Sequence, residues 1–164
     1  MESNFCWVHV LDCENRLKAA EFFQAKASQY APTTGTDPFV WFVQASVVFA
    51  ISALEILYFN YAERKALVEK GENVWLRSLK AKYAKDPLFE WVNGELEDGL
   101  FKFLHDERNR IVHEGHIKRK IEPEPGIVFG AWTNDSVDDA VRKIVNLASR
   151  IISEAKRRYP EQLE

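Results

Sequence analysis

The chain has 164 residues, 46% of them hydrophobic, and a formal net charge of −3. That length and apolar content suffice for one domain with a full core. The acidic balance excludes a protein that coats nucleic acid through its bulk field and leaves only a local basic patch for phosphate. No Pro/Gly/Ser-rich tract and no internal repeat interrupts the apolar residues, so 1–164 is expected to fold as a single domain. Cys6 and Cys13 are too few for a zinc site or an oxidised scaffold, and reduced, buried thiols are expected. Met1-Glu2-Ser3-Asn4 lacks the basic residues and apolar run of a signal peptide, so a cytoplasmic location is expected.

Phe5-Cys6-Trp7-Val8-His9-Val10 reads as a short strand, because bulky and β-branched residues favour a pleated surface. From Glu14 to Tyr30, Leu17, Ala20, Phe23, Ala27 and Tyr30 recur at steps of three and four and mark one face of an amphipathic helix. Asp37-Pro38 then supplies a cap and a proline at the first helical position. The helix it opens is expected to run to about Lys65. Its apolar stretch, Phe39 to Tyr61, is long enough to suggest a bilayer span, but Gln44, Ser46, Ser52, Glu55 and Asn60 interrupt it. A central helix that neighbours cover on most sides, with no membrane contact, is the expectation.

The segment from Asn73 to Lys85 reads as a short helix or a connection anchored by Trp75, Leu76, Leu79 and Tyr83. Asp86-Pro87 repeats the cap signal. Leu88, Trp91, Val92, Leu96, Leu100, Phe103, Leu104, Ile111 and Val112 trace a long helix from there to Gly115, weakened at Gly94 and Gly99. Ile117 to Ile121 and Ile127 to Phe129 are strand candidates around the turn-rich Glu122-Pro123-Glu124-Pro125-Gly126, and pair as a hairpin with Phe5 to Val10 alongside. Ser136, with Asp139 three residues later, caps a last helix to about Tyr159, whose stripe is Val137, Ala140, Val141, Ile144, Leu147, Ala148, Ile151 and Ile152. The fold class is therefore mostly α, a bundle of four or five helices with a small antiparallel β appendage.

The stretch with chemical content is Glu107-Arg108-Asn109-Arg110-Ile111-Val112-His113-Glu114-Gly115. Arg108 and His113 lie roughly 140° apart on an ideal helix, whereas Asn109 and His113, four apart, share a face. An arginine and a histidine in one site suit metal-independent cleavage of an RNA phosphodiester by its own 2′-hydroxyl. Histidine titrates near neutrality and exchanges protons with the 2′-hydroxyl or the leaving oxygen. Arginine stays charged, grips phosphate oxygens and offsets charge that builds in the transition state. The bland alternative is a surface pair in which the histidine complements the end of the helix dipole.

The same string resembles the signature of the HEPN superfamily, the higher eukaryote and prokaryote nucleotide-binding domains: an arginine, a polar residue directly after it, and a histidine four to six positions beyond the arginine. The resemblance implies an up-down helical bundle in which a long apolar helix pairs with the motif helix. It implies a metal-independent endoribonuclease, a toxin or defence effector, that dimerises so that two motifs face one cleft, with an antitoxin as a further partner. Carried onto these positions, Arg108 binds the phosphate, His113 transfers protons and Asn109 orients or hydrogen-bonds within the site. Family members that bind partners or nucleotides without cleaving RNA supply the alternative, a non-catalytic scaffold.

Around the motif, Arg110, His116 and Lys118 are candidates for holding substrate, with Lys118 in a basic run after Gly115 that can steer a phosphate backbone. A solvated, lysine-protected strand edge is the alternative for that run. Glu55, a carboxylate in Ala53-Leu54-Glu55-Ile56-Leu57, is costly unless paired and is a candidate anchor for Arg108. His113-Glu114-Gly115-His116 lacks the spacing of a zinc protease helix, and neither a metal nor another cofactor is expected. Trp7, Trp41, Trp75, Trp91 and Trp132 are expected as core anchors rather than platforms for stacked bases.

Overall fold

The computed structural model describes residues 12–30, 37–69, 82–96 and 134–163, together with Gly99, Lys102, His105 and Asp106. Helix α1 spans Cys13–Tyr30, α2 Asp37–Arg64, α3 Pro87–Glu95, α4 Asn134–Arg158 and the short α5 Pro160–Leu163. Among the described residues there is no strand. The strand candidates at 5–10, 117–121 and 127–129 lie outside them, as do Cys6, Trp7, Trp75 and Trp132.

Residue pairs across the helices fix their directions. Ser46 on α2 donates to the Ala20 carbonyl on α1 at 2.8 Å, while Phe23 stacks on Phe42 and Phe49, so the two helices run antiparallel. Ser28 meets Asp138 and Glu14 meets Lys156, which sets α4 antiparallel to α1 and in the same direction as α2. Trp91 lies under Arg158 and Glu95 under Arg150, which turns α3 against α4. Among the described residues, α1 to α4 thus alternate in direction within a mostly helical bundle, as the periodicity predicts.

Why these segments pack this way is visible in their small residues. Ala20 and Ala27 on α1, Ala50 and Ala53 on α2, and Ala148 and Ala155 on α4 are fully buried. Alanine lets helix backbones approach closely, and Leu17, Ile51, Leu54, Leu57, Val141, Ile144 and Ile151 fill the space between them. Val145 and Ala155 extend the α4 stripe beyond the positions read from sequence. Cys13 is buried as a free thiol, and burial pushes its pKa up.

Three expectations are corrected. The last helix begins at Asn134, so Ser136 already has helical backbone and is not its cap. Helix α3 stops at Glu95, and the buried Leu96 (φ −99°, ψ 5°) closes it by donating its amide to the Val92 and Asn93 carbonyls. Gly99, Lys102, His105 and Asp106 are helical again, so the break in the predicted long helix falls between its two glycines, where helix propensity is lowest. Finally, α2 is less covered than its composition predicts: its most apolar 18-residue window is 39% buried, although its length and hydropathy would let it cross a membrane. Trp41 is 62% exposed and therefore no core anchor, and Tyr30 also lies at the surface. A helix that is apolar on all sides gives no periodic signal of which side faces out.

Candidate functional site

The approach to the motif is built by a cap and a polar junction. Asp86, in extended conformation (φ −69°, ψ 132°), accepts the Leu88 amide at 2.9 Å, and Pro87 follows in the first helical position, as its sequence signal predicts. The other oxygen of Asp86 accepts from Lys65 Nζ at 2.7 Å and from the Tyr61 hydroxyl at 3.3 Å. Lys65 also donates to Tyr61 Oη at 2.9 Å, and the two contacts raise the Lys65 pKa. One carboxylate thus joins the end of α2 to the start of α3.

The C-terminal end of α2 is equally defined. Ala66 takes a left-handed conformation (φ 54°), its amide reaches the Glu63 carbonyl at 3.1 Å, and the Leu67 amide reaches the Ala62 carbonyl at 2.9 Å. These two bonds are those of a Schellman C-cap. Tyr83 then donates its hydroxyl to the Leu67 carbonyl at 2.5 Å. Under the junction, Phe89 packs between Tyr58 at 5.2 Å and Tyr61 at 5.8 Å, and all three are fully buried. Burial pushes both tyrosine pKa values up.

Of the residues picked out from sequence, Glu55 is on α2 and half-buried. Arg108, Asn109, Arg110, His113, His116 and Lys118 lie outside the described residues. The described stretch nearest to them ends in His105 and Asp106, where His105 Nδ1 is 3.8 Å from the Asp106 carboxylate and its side chain is about one-third exposed. His105 is a titratable group three residues before Arg108 that the motif alone does not pick out. Among the described residues, no group of three or more His, Cys, Asp or Glu side chains is placed to hold a metal.

The structure adds a polar cluster that sequence reasoning missed. Asp138 on α4, nearly buried, accepts the Ser28 hydroxyl at 2.8 and 3.0 Å, Gln24 Nε2 at 3.5 Å and Arg142 at 2.6 Å. Gln24 also donates to Ser28 Oγ at 2.8 Å. The Asp138–Arg142 and Gln24–Ser28 pairs, each four apart on one helix, were detectable in sequence. The bridge to α1 crosses 110 residues of chain and leaves no local pattern. The cluster joins the end of α1 to the start of α4 beside the small apolar group of Ala27, Phe39, Phe42, Val43 and Val137. Both Asp138 oxygens, the Ser28 hydroxyl and the Arg142 guanidinium bond within the bundle, which marks the cluster as a structural joint.

Set against family models, curated proteins and solved structures, the chain matches none of them.

Proposed function

We propose that the chain is a HEPN-type, metal-independent endoribonuclease that acts as a homodimer, with a toxin or defence role and an antitoxin as partner. The single observation that carries the reading is the string Arg108-Asn109-Arg110-Ile111-Val112-His113. Its support is a chain that folds as an up-down helical bundle around one long apolar helix, with helical backbone at His105 and Asp106 leading toward the string.

In this mechanism the 2′-oxygen attacks the neighbouring phosphorus as the bond to the 5′-oxygen breaks. A neutral His113 takes the 2′-hydroxyl proton, and a protonated His113 of the second copy gives one to the departing 5′-oxygen. Arg108 holds the phosphate oxygens as negative charge builds on them, and Asn109 orients the site by hydrogen bonding. Arg110, His116 and Lys118 hold the flanking backbone, and Glu55 anchors Arg108 from α2. The products are a 2′,3′-cyclic phosphate and a 5′-hydroxyl, so atoms and protons balance without water.

The test is cleavage of mixed RNA in EDTA by the purified protein and by Arg108→Ala and His113→Ala, with folding checked by circular dichroism. The expected result is cyclic phosphate ends from the parent and a loss of at least about 100-fold in each variant, the usual size of a general acid–base contribution. If the three folded proteins leave RNA equally intact, the alternative of a non-catalytic, partner- or nucleotide-binding scaffold takes its place.

A further inference from the structure

We draw no further inference here: the strongest candidate, the exposed apolar patch of Phe22, Tyr30, Val40 and Trp41 on the outer face of the α1–α2 hairpin, carries none, because its charged neighbours Glu14, Lys18 and Glu21 are of mixed sign and nothing in the structure shows what covers it.

Discussion

The two ends of α2 use aromatic residues in opposite ways. At its C-terminal end Tyr58 and Tyr61 are fully buried against Phe89, and Tyr159 meets Tyr61 edge-on at 5.3 Å. At its N-terminal end Val40 and Trp41 face solvent, and the bundle is held there by the polar joint of Ser28, Gln24, Asp138 and Arg142. The residues on one helix are of the same kind at both ends. What differs is which other elements arrive to cover them, α3 and the α4–α5 corner at one end and the hydrogen-bonded start of α4 at the other. An apolar composition therefore sets how much surface a helix offers, and tertiary contacts decide how much is used for stability.

That contrast is open to attack by substitution. Phe89→Ala removes the ring that two buried tyrosines share and is expected to cost about 3–5 kcal/mol in urea unfolding. At the other end, Asp138→Ala leaves the Ser28 hydroxyl and the Arg142 guanidinium without this acceptor, for an expected loss of about 1–3 kcal/mol. If the two losses came out reversed in size, the polar joint rather than the aromatic end would be the stronger clamp.

Alkaline titration separates the ends without mutation. Burial raises the pKa of Tyr58 and Tyr61 above their ordinary value of 10.0, and that of Cys13 above 9.0. The unfolded chain then loses these protons before the folded one, so their contribution is whole below about pH 9 and is lost as pH rises through the raised values. Unfolding midpoints measured from pH 8 to 11 are expected to fall, and Tyr61→Phe is expected to flatten the decline.

Two smaller changes sharpen the comparison. Ala66→Gly relieves the left-handed backbone at the C-cap of α2 and is expected to add roughly 0.5–1 kcal/mol, read as a higher urea midpoint at unchanged slope. Trp41→Ala is expected to change stability by less than about 0.5 kcal/mol, as for a surface side chain. A large loss there would mean that the exposed ring is a structural anchor.

Much of the helical frame was legible in sequence, and the reasons are local. The α1 stripe, the Asp37-Pro38 and Asp86-Pro87 starts and the α4 stripe each rest on residues within four positions of one another. Trp41 was misjudged because α2 is apolar around its whole circumference, which leaves no polar side to mark the outside. The break at Leu96 was not foreseen, because glycine lowers helix stability without saying whether or where a peptide gives way. The Ser28–Asp138 joint was hidden because its partners are linked only by the folded bundle. For the candidate site, sequence supplied the motif and Glu55, and the structure adds that Glu55 is half-buried on α2 and that the backbone at His105 and Asp106 is helical.

The spacing of the contacts along the chain has a consequence for how this bundle assembles as it is made. The α1–α2 hairpin closes over short separations, 26 residues from Ala20 to Ser46, and is complete early. The helix that seals it, α4, joins α1 through pairs 110 and 142 residues apart. Until residues 134–158 leave the ribosome, the hairpin lacks the contacts that α4 makes with both of its helices. Long-range closure of this kind is slow compared with local pairing, and apolar surface exposed during such a wait is what makes folding intermediates in general prone to aggregate.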